Sequence, residues 1–198
     1  MPPAAVLFDL DGVLIDSQDA WYHLLNAAAK ALGHPVIPRD AFDACFGQGV
    51  EADAEQFFGG IDPAELEAYF DAHFLDHASH VLVNPDAAPV LNALSQRGIV
   101  HAVVTNTASA LAKETLRGAG LEPDLIVGAS DAAGKPAPDM LWLACERLGV
   151  ATADAWMVGD SRFDREAARA AGVSFVGYGV DGERRIERLT ELLFLEES

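Results

Sequence analysis

Short apolar runs alternate with stretches of helical periodicity along most of the chain, and this alternation restricts the fold more than any other feature. Strands that alternate with helices are typical of a parallel sheet covered by helices. The predicted strands are Ala5–Phe8, Val100–Val104, Asp124–Val127, Ala155–Val158 and Ser174–Val176. The predicted helices are Ala87–Gln96, Ala108–Ala119, Asp139–Leu148, Phe163–Ala171 and a last one at Glu183–Leu193. The sequence therefore predicts an α/β fold around a parallel sheet.

Four glycines support the predicted ends of these helices. Gly98, Gly120, Gly149 and Gly172 each stand shortly before the next predicted strand, where a helix has to stop. Glycine is the preferred residue just after a helix because it adopts the left-handed backbone conformation without a steric cost. The glycines and the apolar runs therefore predict the same element boundaries.

One segment interrupts the alternation of strands and helices. Between the first two predicted strands the pattern indicates helices alone, at Ser17–Leu32, Arg39–Phe46, Val50–Phe58 and Pro63–Ala78. Prolines and glycines separate these helices. A helical block at this position predicts a small inserted domain. We therefore expect residues 1–16 and 85–198 to form the α/β core and residues 17–84 to form a helical insert.

The charge and the apolar pattern exclude several classes of partner. A formal net charge of −18 repels nucleic acid and anionic membranes, and it also repels an anionic substrate unless a cation is recruited. The apolar run Ala4–Ile15 contains Asp9 and Asp11 and is too short for a membrane span, which needs about 18 apolar residues. Met1-Pro2-Pro3 lacks the positive charge of a secretory signal. We expect a cytoplasmic protein, either a monomer or a homodimer.

Polar side chains follow three of the predicted strands. Asp9-Leu10-Asp11-Gly12 comes after the first strand, Thr105-Asn106 after the second, and Gly159-Asp160-Ser161 after the fourth. Ligands of an open parallel sheet bind beyond the carboxyl ends of its strands. We therefore expect the functional site at this edge.

Four carboxylates are predicted to meet there. Asp9 and Asp11 are two residues apart, so on an extended chain both side chains point the same way. Asp160 and Asp164 are four residues apart at a helix start and share one helix face. Carboxylates this close destabilise one another unless a cation lies between them, and oxygen ligands of this kind suit Mg2+. The alternative is that Asp160 and Asp164 cap the helix.

Four motifs in order resemble the haloacid dehalogenase superfamily in its phosphatase-like form. The stretch Asp9–Ser17 resembles the first motif of that superfamily, Val103–Asn106 the second, Gly134–Asp139 the third and Val158–Asp164 the fourth. The resemblance implies a Rossmann-like parallel core. It also implies that residues 17–84 are the helical cap of the branch that contains phosphoglycolate phosphatase and β-phosphoglucomutase.

The resemblance implies catalytic roles for three residues. Asp9 would be the nucleophile that forms an aspartyl-phosphate. Asp11 would protonate the leaving oxygen and later activate water. Lys135 would neutralise Asp9 and the phosphoryl oxygens as a compact positive charge.

The remaining implied roles concern phosphate and metal binding. Thr105 and the backbone of Asn106 would hold phosphate oxygens, together with Lys135. Asp9, the backbone carbonyl of Asp11, and Asp160 would bind Mg2+. Asp164 would bind the ion directly or orient its waters.

The expected activity is hydrolysis of a small phosphorylated metabolite by a Mg2+-dependent phosphatase. Asp11 argues against a dehalogenase or a phosphonoacetaldehyde hydrolase, because neither needs an acid at this position. A phosphosugar mutase is the main alternative. Trp21 stands close to where that enzyme typically has a histidine, and Gln48 and Glu51 stand where it usually has an arginine. A binding protein without catalytic activity is a further alternative.

Two features of the insert bear on its role. Gln48, in the glycine-bearing stretch Phe46–Gly49, is expected to contact a substrate hydroxyl, with an ordinary turn between helices as the alternative. His73, His77 and His80 fall at helical spacing. The sequence shows no partner cluster for these histidines, so they are interpreted as surface or core residues of the insert.

Overall fold

The computed structural model describes residues 2–197 and divides the chain into two compact units. One unit takes in Met1–Ile15 and Val83–Ser198, and the other is Asp16–Leu82. The strands are β1 (Ala5–Phe8), β2 (Ile15–Asp16), β3 (Leu82–Val83), β4 (Val100–Thr105), β5 (Leu125–Gly128), β6 (Ala155–Gly159), β7 (Ser174–Tyr178) and β8 (Arg184–Ile186). The helices are α1 (Gln18–Leu32), α2 (Arg39–Asp43), α3 (Val50–Phe57), α4 (Pro63–His73), α5 (Ala87–Gln96), α6 (Ser109–Ala119), α7 (Asp139–Leu148) and α8 (Arg162–Ala171). Three 3-10 helices occupy Phe74–His80, Thr152–Asp154 and Leu189–Glu197.

The larger unit is a six-stranded sheet in the order β5-β4-β1-β6-β7-β8. Each neighbouring pair of these strands is parallel. β1 is buried along its whole length and pairs with both β4 and β6. Phe8 is in register with Val103 and Val158, so the chain leaves β1, β4 and β6 at the same edge of the sheet. This confirms the predicted α/β fold with a parallel sheet.

Apolar contacts explain why the predicted core helices form. The buried side chains of α7 and α8 pack with those of the central strands in one hydrophobic cluster. α5 and α7 have the predicted bounds, and α6 and α8 each differ from the prediction by one residue at the start. The predicted helix-ending glycines are also confirmed: Gly149 and Gly172 follow α7 and α8 with φ angles of 71° and 74°.

The predicted last helix at Glu183–Leu193 is wrong. Arg184–Ile186 forms β8, which pairs in parallel with β7 and extends the sheet, and a 3-10 helix follows at Leu189–Glu197. Ile186 is buried, and the guanidinium of Arg184 lies over the ring of Trp156 at 4.6 Å from its centroid. Backbone pairing with β7 and these contacts outweigh the helical pattern of the sequence.

Asp16–Leu82 is a unit of helices α1 to α4 followed by the 3-10 helix Phe74–His80. Trp21 on α1 packs against the rings of Phe70 and Phe74, with centroid distances of 5.4 and 4.8 Å. The predicted helix Pro63–Ala78 is too long, since α4 ends at His73 and tighter 3-10 turns continue the chain. The predicted helix Arg39–Phe46 is also too long, because α2 ends at Asp43.

Asn84 holds the start of the short segment that leads from β3 into α5. Its backbone N–H donates to the Leu14 carbonyl at 3.0 Å. Its side-chain Nδ2 donates to the Val13 carbonyl at 2.8 Å and to the Tyr178 hydroxyl at 3.1 Å. Asn84 therefore connects the loop after β1 with the end of β7.

No helix in the described part of the chain combines the length and the apolar character needed to cross a lipid bilayer.

A buried histidine near the start of β4 links this strand to α5 and to Asp124, the residue before β5. The Nδ1 atom of His101 on β4 accepts a hydrogen bond from the Asp124 backbone N–H at 3.3 Å, and Nε2 lies 3.1 Å from Ser95 Oγ on α5. Because Nδ1 accepts, Nε2 carries the proton and donates to Ser95. Ser95 in turn donates to the Leu91 carbonyl at 3.2 Å. His101 thus faces Ser95 with a proton and cannot act as its base.

The burial of His101 predicts a pH-dependent contribution to stability. Burial lowers the pKa of the His101 imidazole, so below its ordinary value the unfolded chain binds the proton more readily than the folded chain. As the pH falls from 8 to 5.5, the shifted pKa of His101 should lower the free energy of unfolding of wild-type protein. The His101→Gln variant lacks this imidazole and should not show this decrease. We expect the stability gap between the two proteins, measured by urea denaturation, to narrow over this range.

Ser95→Ala is the matched control for this experiment. It removes the partner of Nε2 but leaves the buried imidazole, so its stability gap to wild type should change less with pH than that of His101→Gln. A gap between wild type and His101→Gln that widens towards acid pH would contradict the assignment of His101 as a buried neutral group.

Candidate active site

Asp9 directly follows the central strand β1. Its backbone N–H donates to the Val158 carbonyl on β6 at 2.9 Å, and its Oδ1 accepts from the Leu10 N–H at 2.8 Å. Gly12 then turns the chain with a φ angle of 84°. A Cβ atom on Gly12 would lie 2.0 Å from Oδ2 of Asp160. Glycine at this position therefore lets the loop after β1 approach the loop after β6.

A buried ammonium group joins two carboxylates. Nζ of Lys135 lies 2.7 Å from Asp9 Oδ1 and 2.6 Å from Asp164 Oδ1, and it donates to the Val104 carbonyl on β4 at 3.0 Å. The Lys135 side chain is 2% exposed and that of Asp164 is fully buried. An ammonium group has three N–H donors, and these three contacts use all of them.

Asn106 holds the backbone of Lys135. Asn106 Oδ1 accepts from the Lys135 N–H at 2.7 Å, and Asn106 Nδ2 donates to the Lys135 carbonyl at 2.9 Å. The side chain of Asn106 therefore fixes the segment that carries Lys135 against the loop after β4. Sequence reasoning assigned phosphate binding to the Asn106 backbone and missed this role of its side chain.

Asp164 combines helix capping with its contact to Lys135. Ser161 is the N-cap of α8, and its backbone N–H and its hydroxyl both donate to Asp164 Oδ2, the N–H at 3.1 Å. The Asp164 N–H donates back to Ser161 Oγ at 3.3 Å. Asp164 therefore takes part in capping the start of α8, as the alternative interpretation of the sequence proposed. Its other oxygen, Oδ1, faces the ammonium of Lys135.

Thr105, the last residue of β4, and Thr107 in the loop after it hold the carboxyl group of Asp11. Thr107 Oγ1 donates to Asp11 Oδ2 at 3.0 Å, and Thr105 Oγ1 lies 3.4 Å from the same oxygen. The Thr107 N–H donates to Thr105 Oγ1 at 3.1 Å and orders the pair. Sequence reasoning found Thr105 and missed Thr107. The spacing of two in Thr105-Asn106-Thr107 was the available signal, because it allows both hydroxyls to face one side.

Carboxyl groups outnumber ammonium groups around Lys135. Burial and the nearby carboxylate of Asp164 raise the pKa of Asp9 well above its ordinary value. Burial and Asp164 also raise the pKa of Asp160, to about 7. Burial alone would lower the pKa of Lys135, but the carboxylates of Asp164 and Asp9 outweigh it and raise the pKa, so this side chain stays charged. One ammonium group therefore faces three carboxyl groups.

The carboxylates fit a hard divalent cation. One oxygen from each of Asp9, Asp160 and Asp164 lies within 4.8 Å of the others. Oxygen ligands at about 2.0–2.1 Å from one Mg2+ ion are separated from each other by roughly 3–4 Å. A cation at this point would also relieve the like-charge repulsion that raises the pKa of Asp160. The donor atoms and the excess negative charge both fit a divalent metal ion.

Gln48 belongs to the unit Asp16–Leu82, where it lies just before α3. Its Nε2 donates to Asp53 Oδ1 at 2.8 Å and lies 3.3 Å from Gln56 Oε1. Burial raises the pKa of Asp53 to about 6, although the hydrogen bond from Gln48 opposes this. The contacts of this amide nitrogen therefore order the start of α3.

Loss of the Ser161 hydroxyl should weaken the α8 cap and remove one of the two hydrogen bonds that Asp164 Oδ2 accepts. Ser161→Ala should lower the free energy of unfolding by about 1 kcal/mol, which is the usual cost of removing an N-cap side chain. Urea denaturation followed by circular dichroism measures the change. Ser161→Thr keeps a hydroxyl and should stay within a few tenths of a kcal/mol of wild type. Equal stability of Ser161→Ala and wild type would show that the capping contact contributes nothing.

Comparisons with known proteins agree with this geometry. A family model described as haloacid dehalogenase-like hydrolase matches residues 6–178. The plasmid phosphoglycolate phosphatase of Cupriavidus necator is 36% identical over 194 residues, covering 92% of this chain and 84% of that protein. The phosphoglycolate phosphatase of Nitrosospira multiformis is 33% identical over 207 residues, covering 96% and 89%. A solved subfamily IA, variant 1 hydrolase of the same superfamily from Geobacter sulfurreducens PCA gives a TM-score of 0.78 at 26% identity, covering 96% of this chain and 98% of that one.

Proposed function

We propose that this chain, which belongs to the haloacid dehalogenase-like hydrolase family and is a phosphatase of that family, transfers a phosphoryl group to Asp9 and requires Mg2+. The observation that carries the proposal is the carboxylate of Asp9, held at the end of β1 at 2.7 Å from a buried ammonium group. One carboxylate oxygen each from Asp160 and Asp164 lies within 4.8 Å of an Asp9 oxygen, and this grouping supports metal binding by the three residues. These groups supply a nucleophile and the positive charge that an anionic substrate needs.

The first chemical step breaks the ester bond of the substrate. The Asp9 carboxylate attacks phosphorus and forms an acyl phosphate, and the P–O ester bond breaks towards the leaving oxygen. Asp11 gives its proton to that oxygen, and the product alcohol departs. The hydroxyls of Thr107 and Thr105 orient the carboxyl group of Asp11 by donating to Oδ2.

The second step releases inorganic phosphate. Asp11, now a carboxylate, takes a proton from water, and the water oxygen attacks phosphorus of the acyl phosphate. The bond to Asp9 breaks and its carboxylate is restored. Asp9, Asp160, the backbone carbonyl of Asp11, and Asp164, directly or through water, would hold Mg2+, which would supply neutralising charge.

Lys135 provides positive charge that stays in place through both steps. Its ammonium group is buried, its pKa is raised, and Asn106 clamps its backbone on both sides. A charged group that is already oriented needs no reorganisation when negative charge moves onto the phosphoryl oxygens. We assign Thr105 and the Asn106 backbone to hydrogen bonds with the phosphoryl group, and Lys135, whose N–H donors are already used, to binding of that group through its positive charge.

We propose a small phosphomonoester as the substrate, with 2-phosphoglycolate as the first compound to test. The support is that the two curated relatives described above are named phosphoglycolate phosphatases. These names favour hydrolysis over the phosphosugar mutase reaction. We further propose that the helical insert, residues 17–84, selects the leaving group with help from Gln48. A cytoplasmic location fits the two free cysteines, Cys45 and Cys145.

Removal of the nucleophile should abolish turnover. Asp9→Asn should lower kcat for 2-phosphoglycolate and p-nitrophenyl phosphate by about 10^4-fold or more, because an amide cannot form the acyl phosphate. EDTA should stop the wild-type enzyme and added Mg2+ should restore it. Mass spectrometry of acid-quenched wild-type protein should find the phosphoryl group on the peptide that contains Asp9.

Asp16→Asn is a matched control in the same stretch of sequence, because Asp16 is exposed and makes only a local contact with the Gln18 N–H. It should keep near wild-type activity. Phosphate release that persists in Asp9→Asn, or that needs no metal ion, would reject the proposed function.

The threonine contacts to Asp11 give a leaving-group test. In single-turnover experiments, Thr107→Val should slow phosphoryl transfer from 2-phosphoglycolate by roughly tenfold, a fraction of the 10^2–10^4-fold that a positioned acid contributes. p-Nitrophenyl phosphate should be affected much less, because nitrophenolate leaves without a proton. Thr107→Ser keeps the donor to Oδ2 and should behave like wild type. Equal losses with both substrates would count against Asp11 as the acid.

A further inference from the structure

Four of the six histidines of this chain lie in one part of the unit Asp16–Leu82. His23 is on α1, His73 ends α4, and His77 and His80 are on the 3-10 helix Phe74–His80. The spacing of His73, His77 and His80 was visible in the sequence without a partner. In the folded chain α1 packs along this 3-10 helix and places His23 next to His80.

His23, His77 and His80 form what we call the histidine cluster. The ring centroids of His23 and His80 are 4.5 Å apart, and those of His23 and His77 are 6.3 Å apart. Imidazoles bind transition metals through one nitrogen at about 2.0–2.1 Å, which puts each ring centre about 3.2 Å from the ion. Two rings on one ion then have centroids roughly 4.5–6.4 Å apart, depending on the angle between them. The His23–His80 distance of 4.5 Å corresponds to ligands about 90° apart on the ion, and the His23–His77 distance of 6.3 Å to ligands on nearly opposite sides of it.

The surroundings of His77 favour the neutral imidazole that a metal ion requires. Burial, followed by the nearby His23, lowers the pKa of His77, so this ring loses its proton more readily than a free histidine does. Carboxylates lie close by: Asp76 accepts from His73 at 3.2 Å, and Asp19 is one turn before His23 on α1, where it pairs with Arg39. A dication beside these groups would meet the negative charge of Asp76, whereas Asp19 is already paired with the guanidinium of Arg39.

In the described structure the ring nitrogens of these three histidines are not all within 4.8 Å of one another, so binding of one ion requires the rings to turn. His23 and His80 are exposed, and His77 is half-buried. The rings of His23 and His77 lie nearly parallel, with 12° between their planes, and those of His23 and His80 are tilted by 35°. Rotation of exposed imidazoles between staggered side-chain conformations is enough to aim their nitrogens at one point.

We propose that His23, His77 and His80 bind a transition-metal dication of the zinc, nickel or copper class. Nitrogen donors of this kind select such ions, whereas the carboxylate oxygens of Asp9, Asp160 and Asp164 suit Mg2+. The histidine cluster is therefore a second metal site with a different preference, and it belongs to the other compact unit. Bound metal would link α1 to the 3-10 helix Phe74–His80 and stabilise the fold of Asp16–Leu82.

Zinc binding to the full-length protein tests this directly. Isothermal titration with Zn2+, in buffer with a large excess of Mg2+ to occupy the carboxylate site, should give one zinc per chain. His77→Gln and His80→Gln should each weaken binding at least tenfold, and the double variant should abolish it. His34→Gln, whose ring packs on Phe58 in the same unit and outside the cluster, should bind zinc like wild type. Zn2+ should also raise the melting temperature of wild type and not that of the double variant.

Zinc-edge X-ray absorption of the wild-type complex adds a measurement that needs no variant. Two or more imidazole ligands around the zinc would support the site. No zinc binding, an all-oxygen ligand shell, or equal affinity in wild type and the double variant would overturn the proposal. Binding that is lost in Asp160→Asn and kept in the double variant would overturn it as well, because the zinc would then occupy the carboxylate site.

Discussion

The ammonium group of Lys135 holds together the elements that build the site. It contacts Asp9 after β1, the Val104 carbonyl on β4 and Asp164 in α8, all within 3.0 Å. Two carboxylates buried this deeply would repel each other without it, and breaking a buried ion pair on one side typically costs about 3–5 kcal/mol. The clamp of Asn106 and the cap of Ser161 serve this contact, since they fix Lys135 and Asp164 respectively.

A strongly acidic protein that attacks an anion must concentrate positive charge at one place. The net charge of −18 makes the chain as a whole unfavourable for a phosphate ester. The parallel sheet resolves this conflict locally, because β1, β4 and β6 end at one edge and deliver both the acidic groups and the loops that hold Lys135. The excess of carboxylates over ammonium then makes a metal ion favourable at the point where the substrate is to react.

Sequence reasoning succeeded where burial dictates composition. The central strands are buried on both faces and mostly apolar, so β1, β4 and β6 were predicted almost to the residue, and the polar residues at their ends pointed to the site. It failed for β8, a three-residue edge strand that contains Arg184 and Arg185 and depends on pairing with β7. The role of Lys135 was predicted from the family resemblance alone, because a lysine in a loop belongs to no periodic pattern of the sequence. Contacts between distant segments, such as Thr107 with Asp11 or His23 with His80, leave little trace in local pattern.

The hydrogen bond between Leu14 and Asn84 also bears on how such an architecture diversifies. It places the points where the helical insert departs and returns side by side on the core, and β2 and β3 pair next to them. The entropy of closing a loop between adjacent points grows only slowly with its length. A graft of different size or shape can therefore replace the insert at this junction while the strand order of the sheet and the edge that carries Asp9 stay as they are.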